Sequence, residues 1–424
     1  MGRFTGLIGI AVILGIAFLM SNNRRKINYR VVLSGLGLQL VLAFFILKVP
    51  VGKEIFAWLG AKVTTILNMS EAGAKFVFGP LVNQPLLTKV FGPENNLIFF
   101  FTIIPTIIFV AVLVTVAYHF GILQRVVKVF ATVMYKIMAV SGSEALSNAA
   151  SAFVGQVEAQ ILIKPYIKGM TMSELLASMT GSMACIAGGV MAVYISLGVP
   201  AQYLIAASLM AMPGALVISK IVWPETEESE TRKKVSVNVE RTTYNFLDAI
   251  SHGASDGLKI GLNVTAMLIG FIALIALANW ILGGIGHHLA AWGLSLNFID
   301  VDLKTLDMNQ ILGGFFSLIA RAMGVPWHEA HAAGALLGTK MVINEFVAYM
   351  DLSTIKATLD PKTMIIVSFA LCGFANFSSI AIQVGGIGEL EPSRRTDLAR
   401  LGFKALICGT LASYLSATIA GILY

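Results

Sequence analysis

The stretch SAFVGQVEAQILIKPYI, residues Ser151–Ile167, is apolar at both ends and polar in its middle, where Gly155, Gln156 and Glu158 lie close together. An ionised carboxylate at the centre of a bilayer costs at least about 2.5–3.5 kcal/mol, so such a group usually pairs, protonates or binds something. We interpret the wider segment Glu144–Pro165 as a re-entrant hairpin. Non-helical backbone at membrane depth is tolerated only where protein or a watery cavity surrounds it.

The composition places the chain in a membrane. It has 424 residues, of which 57% are hydrophobic and 12% are charged, whereas soluble domains carry roughly 25% charged residues. Several apolar runs are about 18 residues or longer, enough to cross a hydrocarbon core of about 30 Å. The net charge of +7 comes from basic loops that set orientation in a membrane, and it does not indicate a nucleic-acid partner. The three cysteines lie in apolar segments, so no disulfide framework is predicted.

Eight apolar segments predict an all-α polytopic membrane protein. They are Gly6–Met20, Val31–Val49, Leu97–His119, Leu175–Leu197, Ala201–Val222, Leu262–Leu282, Thr363–Val384 and Leu401–Leu423. The first is interpreted as a retained span and not a signal peptide, because a basic cluster and a second apolar segment follow it directly. The basic loop clusters all fall on one side of the membrane if the N-terminus lies outside and the helices alternate. These clusters are Arg24, Arg25, Lys26 and Arg30; Arg125, Lys128 and Lys136; Lys220, Arg232, Lys233 and Lys234; and Arg394, Arg395 and Arg400.

Four other segments do not fit simple spans. Asn309–Met350 is too long for one helix and is interrupted at Gly324–Pro326, so we predict a second re-entrant hairpin there. Glu54–Met69 and Asn245–Gly257 are shorter and more amphipathic, and are predicted to lie in the membrane interface. The polar loop Pro224–Arg241 has no periodicity and is interpreted as a solvated cytoplasmic linker.

The chain also contains an internal repeat. Glu158 precedes Gly188 by 30 residues, and Glu345 precedes Ala375 by 30 residues, with Gly188 and Ala375 each inside an interrupted apolar span. The loop charges put the two hairpins on opposite sides, so the repeats are inverted, an arrangement that indicates a transporter binding site at the midplane. We therefore predict scaffold helices with an interfacial helix (1–135), a first transport repeat (140–223), a linker with an interfacial helix and a scaffold span (224–285), and a second transport repeat (305–424).

Glu158 and Glu345 are the strongest candidates for a functional role. The structural alternative is that each forms a salt bridge, Glu158 with Lys164 and Glu345 with Lys340. Amides and hydroxyls near the acids suit a polar, uncharged ligand with vicinal hydroxyls and a heterocyclic edge, whereas no Arg or Lys cluster converges there as an anionic ligand would prefer. These polar neighbours are Gln156, Asn344, Asn376, Ser378 and Ser379, and Phe374 and Phe377 are possible stacking partners for a planar ligand.

Other functional classes lack their motifs. His328-Glu329-Ala330-His331 is one residue short of the H-E-x-x-H zinc spacing, so no metal site is predicted. The sequence has no Walker-type phosphate loop, and Ser147 and Ser151 have no obvious base, so neither ATP-driven transport nor an enzyme is predicted, and no cofactor is expected. A channel and a nucleobase transporter that does not recognise ribose are kept as alternatives.

Four motifs together resemble the concentrative nucleoside transporters, a family that includes cation-coupled bacterial nucleoside permeases. They are GQVEA (Gly155–Ala159), NEFVAY (Asn344–Tyr349), CGFANFSS (Cys372–Ser379) and GGIGEL (Gly385–Leu390), and with the flanking spans they cover essentially the whole chain. The resemblance implies a homotrimer in the bacterial inner membrane. Each subunit would have eight transmembrane helices and two opposed hairpins, and an elevator-like transport domain would carry a nucleoside across a fixed scaffold.

The resemblance also assigns residues to the substrate. It implies nucleobase contacts at Gln156, Val157, Glu158 and Val190, where Val157 replaces a threonine that is common in the family. It implies ribose contacts at Glu345, Asn376 and Ser379, with Phe374 lining the pocket.

The coupling ion is where the sequence departs from sodium-coupled relatives. The corresponding side-chain positions are Ser151, Cys185 and Gly189, and the carbonyls are those of Val154 and Ile186. Hard cations take oxygen ligands, and a thiol and a glycine supply no side-chain oxygen. The sequence therefore favours proton coupling, with Glu158 or Glu345 as the proton carrier, and sodium coupling is the alternative.

Overall fold

The chain folds as a bundle of α-helices in a computed structural model that describes residues 2–92, 98–232, 243–292 and 302–424. The N-terminal part consists of α1 (Gly2–Leu19), α2 (Tyr29–Leu47), α3 (Pro50–Asn68), α4 (Ser70–Phe78) and α5 (Gln84–Phe91). The amphipathic segment predicted at Glu54–Met69 lies within α3. Lys233 and Lys234, two of the basic residues used for topology, lie outside the described residues.

Two further sets of helices follow in the same order. The first set is α6 (Phe99–His119), α7 (Ile122–Met138), α8 (Gly142–Ser151), α9 (Glu158–Ile161), α10 (Lys164–Ile167), α11 (Met172–Ala184), α12 (Gly188–Ser196) and α13 (Ala201–Val222). The second set is α14 (Phe246–Ala291), α15 (Met308–Met323), α16 (Trp327–Val342), α17 (Glu345–Ile355), α18 (Pro361–Leu371), α19 (Phe377–Leu390) and α20 (Arg395–Leu423). Each set has a long helix, an amphipathic helix, a hairpin, a broken helix and a final long helix. The predicted repeat is therefore present as a repeat of structure.

Each of the eight predicted spans coincides with apolar helix in the described residues, although Leu97, the first residue of the third, lies outside them. Six helical segments are long and apolar enough to cross a membrane, and shorter apolar helices lie at Thr5–Leu19 and Pro361–Leu371. Both predicted interruptions are present, because the span at Leu175–Leu197 divides into α11 and α12 and the span at Thr363–Val384 divides into α18 and α19.

The segment Asn245–Gly257, predicted to lie in the membrane interface, does not form a helix of its own. That segment and the span after it form one continuous helix of 46 residues, α14. Gly253, Gly257 and Gly261, one turn apart, lie directly against α6, where an added Cβ would meet backbone or side-chain atoms of Val112, Ile108 and Ile104. Small residues at this spacing let two membrane helices approach closely, so packing on α6 keeps the glycine-rich segment helical.

The second hairpin lies later in the chain than the interruption at Gly324–Pro326 predicts. Asn309–Met350 contains parts of three helices, and Gly324, with a φ of +104°, only ends α15 before α16 packs back against it. A left-handed glycine followed closely by proline is typical of such a helix end. The hairpin that carries Glu345 is formed by α16 and α17, which meet at Ile343–Asn344.

The first part of the predicted linker is anchored to the helices at a few positions, while Thr226, Glu227, Glu228 and Glu230 are exposed. The Thr231 carbonyl accepts a hydrogen bond from the Gly142 amide at 3.0 Å, and Thr171 Oγ1 donates to Glu225 Oε2 at 2.8 Å. The buried Lys220 Nζ lies 2.6 Å from Glu144 Oε2. These contacts fix the start of the first hairpin to α13 and the linker. The pairing with Lys220 explains how the carboxylate of Glu144 is accommodated in a buried position.

Candidate functional site

The two broken helices meet at their interruptions. The backbone amide of Phe374, between α18 and α19, donates to the carbonyl of Cys185, between α11 and α12, at 3.3 Å. Gly373 has a φ of +137° and lies against the backbone of Ala184. Helices α12 and α19 both begin at this meeting point, and the first N–H groups of a helix have no partner within it. At α12 the Gly188 amide donates to the carbonyl of Phe153 at 3.2 Å.

The second hairpin contributes a buried carboxylate to the start of α19. Asn376 caps this helix through Oδ1, which accepts from the amide of Ser379 at 2.9 Å. Its Nδ2 donates to Glu345 Oε2 at 3.0 Å, and the Tyr194 hydroxyl donates to Glu345 Oε1 at 3.0 Å. Glu345 and Asn376 are 5% and 2% exposed, so the acid is held in place by neutral donors in a buried setting.

The first hairpin reaches the same helix from the other side. Gln156 Nε2 donates to Ser379 Oγ at 3.3 Å, and Gln383 Nε2 donates to Gln156 Oε1 at 3.4 Å. The Val157 side chain packs against the backbone of Gly386 on α19. A continuous line of polar groups therefore runs from the tip of the first hairpin through the N-terminus of α19 to the tip of the second; we call it the polar line, and it consists of Gln156, Ser379, Asn376, Glu345 and Tyr194.

The remaining predicted substrate residues are not part of the polar line. Phe374 is 9% exposed and lies between the two helix interruptions. Val190 is half-buried on the first turn of α12. Glu158 is exposed at the start of α9, and its carboxylate folds over Gly155, where an added Cβ would collide with it. Phe377 is 48% exposed and forms no ring pair among the described residues.

Neither salt bridge that served as the structural alternative forms within the described part of the chain. Lys340 is fully buried, but its Nζ donates to the carbonyl of Ala370 at 2.7 Å, and no ion pair joins it to Glu345 or joins Lys164 to Glu158. The carboxylate of Glu345 thus has the amide of Asn376 and the phenol of Tyr194 as its partners, which suits exchange with a ligand's hydroxyl groups.

Comparison with known proteins assigns the fold to a family. Residues 203–421 match the C-terminal model of the Na+ dependent nucleoside transporters, residues 8–81 match the N-terminal model, and residues 100–201 match a model for nucleoside recognition. The chain is 44% identical to the transporter YutK of Bacillus subtilis over 98% of each chain. It is 37% identical to the nucleoside permease NupC of Helicobacter pylori, over 98% of this chain and 96% of that protein.

A solved structure has the same architecture. CNTnw in an inward-facing, substrate-bound state superposes with a TM-score of 0.92 at 40% identity, and the match covers 100% of this chain and 98% of that one. The chain belongs to the concentrative nucleoside transporter family. It is a multi-pass membrane protein, and cation-coupled nucleoside transport is the activity of this family.

In the sodium-dependent members of the concentrative nucleoside transporter family, the coupling cation needs oxygen ligands. Here the hydroxyl of Ser151 donates to the carbonyl of Ser147 at 2.8 Å and lies 3.1 Å from Ser182 Oγ. Cys185 Sγ points to the carbonyl of Ser208 at 3.8 Å. Val154 and Ile186 are buried and Gly189 is half-buried. Of the five predicted coupling positions, only Ser151 brings a side-chain oxygen, and neighbouring serines already engage it.

A buried hydrogen-bond network adjoins Ser151, and the sequence did not reveal it. Gln160 Nε2 donates to Ser182 Oγ at 2.6 Å, and Ser178 Oγ donates to Gln160 Oε1 at 2.5 Å. Ser147 Oγ lies 2.7 Å from Ser178 Oγ. Two pairs of serines lie four residues apart, Ser178 with Ser182 and Ser147 with Ser151, so each pair shares one helix face. The sequence contains this pattern, but it is divided between two helices.

Two residues of the site were also missed. Tyr194 lies in an apolar run of α12 and gives no local sign of its contact with Glu345. Gln383 could have been found, because Asn376, Ser379 and Gln383 follow one face of α19 at helical spacing. Its Nε2 also donates to the carbonyl of Met179 at 3.2 Å, so it joins α19 to α11.

Proposed function

We propose that this protein imports nucleosides across the bacterial inner membrane by symport with protons, and that it binds them along the polar line. The observation that carries the proposal is the convergence of both hairpin tips on the N-terminus of α19, where Gln156, Ser379, Asn376 and Glu345 form one connected set. A discontinuous helix between inverted repeats is where secondary transporters bind their substrates.

Glu345, Asn376 and Ser379 would bind the ribose. A carboxylate and an amide side by side can accept from and donate to two adjacent hydroxyl groups, and hydrogen bonds to a charged acceptor are the stronger kind. The hydroxyls would replace contacts that these groups now make among themselves, at 3.0 Å from Asn376 to Glu345 and 3.3 Å from Gln156 to Ser379.

Gln156 and Glu158 would bind the edge of the nucleobase, and Val157, Val190 and Phe374 would enclose its faces. A nucleobase edge presents donors and acceptors side by side, which the amide of Gln156 can match because it offers both. Apolar side chains around a few directed polar groups are typical of small-molecule sites.

Proton coupling is supported by the chemistry around Ser151. Sodium, like other hard cations, is bound by oxygen, and Cys185 and Gly189 offer no side-chain oxygen. The hydroxyl of Ser151 is engaged by the carbonyl of Ser147 and the hydroxyl of Ser182. Glu158 and Glu345 are the titratable groups of the site, and either would carry the proton. The homotrimer that the family resemblance implies is part of the same proposal.

The test is radiolabelled nucleoside uptake into proteoliposomes with sodium and proton gradients imposed separately. We expect accumulation above equilibrium with an acidic exterior at equal sodium, and loss of this accumulation with a protonophore. Accumulation driven by inward sodium at equal pH would establish the sodium-coupled alternative. Flux that only equilibrates and does not saturate would indicate a channel and overturn symport.

Two matched variants then separate binding from coupling. In counterflow, external labelled nucleoside exchanges with unlabelled nucleoside inside without any ion gradient. If Glu158 carries the proton, Glu158→Gln should lose gradient-driven accumulation yet retain counterflow at saturating nucleoside, because the amide can still hydrogen-bond the nucleobase edge. If Glu158→Gln and Glu345→Gln both retain accumulation, neither side chain carries the proton.

A further inference from the structure

A second polar cluster lies far from the substrate site, at the start of the second hairpin. His328 and Glu329 occupy the first turn of α16, and Asp360 immediately precedes α18. His328 Nε2 lies 3.9 Å from Glu329 Oε1 and 3.9 Å from Asp360 Oδ2. One ligand atom of each residue lies within 4.8 Å of those of the other two, so three potential metal ligands converge from two elements.

Glu329 is incompletely satisfied in this cluster. Its residue is 6% exposed, and Oε1 accepts a hydrogen bond from the backbone amide of Asp360 at 2.7 Å. Its second oxygen, Oε2, is buried and has no hydrogen-bond partner among the described residues. Leaving a buried carboxylate oxygen without a partner is costly, and a cation bound through the other oxygen of the same carboxylate would offset that cost.

We propose that His328, Glu329 and Asp360 form a binding site for a divalent transition-metal ion such as Zn²⁺. Bonds of about 2.0–2.2 Å at tetrahedral angles place two ligand atoms about 3.4 Å apart. The two separations from His328 are 3.9 Å, and all three ligand atoms lie within 4.8 Å of one another. Movement of the two exposed side chains, His328 and Asp360, would bring them to the tetrahedral spacing. An imidazole with two carboxylates and an open fourth position suits zinc better than Mg²⁺ or Ca²⁺, which prefer all-oxygen ligands.

The distribution of basic residues predicts that the site faces the outside of the membrane. Arg394 and Arg395 follow α19, and basic loops mark the cytoplasmic side. The broken helix of α18 and α19 crosses the membrane once, so its other end, at Asp360, lies outside. A metal ion bound here would link the first helix of the second hairpin to the start of α18, and it would enter from the external solution.

The sequence motif alone argued against this site for a sound reason. The spacing from His328 to His331 is one residue short of the H-E-x-x-H pattern, and the structure turns His331 toward Gly313 on α15. The third ligand is instead Asp360, 31 residues from Glu329 in sequence, a contact that no local motif encodes.

The experiment is calorimetric titration of the full-length protein, purified in detergent without a histidine tag, with ZnCl₂. We expect one Zn²⁺ per chain. His328→Asn and Asp360→Asn should each weaken binding by more than about tenfold, because even a change outside the ligand shell costs roughly 10–100-fold. Both side chains are exposed, at 72% and 56%, and the amide of Asp360 that bonds Glu329 belongs to the backbone, so the fold should be retained.

The matched control is His252→Asn. His252 lies 3.1 Å from Asp256 on the exposed surface of α14 and has no third ligand among the described residues, so Zn²⁺ affinity should not change. Co²⁺ offers a second readout, because its visible absorption bands gain intensity when it is bound in tetrahedral geometry, and His328→Asn should remove them. Equal Zn²⁺ affinity in all variants, or equal affinity for Mg²⁺ and Zn²⁺ in the unmodified protein, would overturn the proposal.

Discussion

Glu345→Gln should lower nucleoside uptake at subsaturating concentration by roughly 10–150-fold, which corresponds to the loss of about 1.5–3 kcal/mol from hydrogen bonds to a charged group. Both oxygens of Glu345 accept hydrogen bonds from donors, Tyr194 on one side and Asn376 on the other. A glutamine presents an NH₂ group to one of these donors and has no charge to offer a ribose hydroxyl. The measurement is initial-rate uptake in proteoliposomes over a range of nucleoside concentrations.

If Glu345 binds the ribose, the effect of Glu345→Gln should depend on the hydroxyl groups of the substrate. The deficit should be largest for ribonucleosides and should shrink toward none for 2′,3′-dideoxynucleosides, which lack both hydroxyls. Asp351→Asn is the matched control, because it makes the same chemical change on the same helix, α17, away from the polar line, and uptake should be unchanged. A deficit of equal size with the dideoxy analogue would place the role of Glu345 in folding or coupling and not in ribose binding.

Much of the architecture could be predicted because membranes restrict local choices. The interruptions near Gly188 and Ala375 stand out since small and polar residues seldom persist in a continuous apolar span. The carboxylates Glu158 and Glu345 stand out for the same reason. Their equal spacing to the interruptions indicates the repeat without any knowledge of contacts.

The features that could not be predicted depend on contacts between distant elements. Tyr194 bonds Glu345 across 151 residues, and its own surroundings in sequence are apolar. Lys340 is near Glu345 in sequence, yet the helix end at Ile343 turns its ammonium group to Ala370 instead. The separation of five residues between Lys340 and Glu345 therefore does not determine whether the ammonium group binds Glu345 or the carbonyl of Ala370.

The turn at Gly324 and the continuity of α14 show a related limit. Glycine and proline together mark a chain reversal, but they do not say whether the reversal is a hairpin tip inside the membrane or the end of a helix at its edge. Glycines lower helix propensity, and only the fit of Gly253 and Gly257 against α6 shows that this segment stays helical.

Gly373→Ala should be the most destabilising small substitution in the transport repeats. Gly373 has a φ of +137°, a conformation that residues with a Cβ rarely adopt. The added carbon would lie 2.6 Å from the carbonyl oxygen of Ala184, and backbone atoms cannot swing aside as a side chain can. Backbone strain of this kind alone costs on the order of 1–3 kcal/mol, so we expect unfolding in detergent, followed by tryptophan fluorescence, at a clearly lower temperature.

Gly385→Ala provides the comparison, since it lies on α19 with no heavy atom within 4 Å of an added Cβ. Alanine is favoured over glycine in a helix by about 0.8–1 kcal/mol, so this variant should unfold at the same or a higher temperature. Uptake should separate the two further. Gly373→Ala should push the two helix interruptions apart, break the contact from Phe374 to Cys185 and displace Asn376 from Glu345, so its uptake should fall even at temperatures where the protein stays folded. If Gly373→Ala matched Gly385→Ala in both measurements, the two interruptions would not be held in contact through Gly373, and the polar line would need another support.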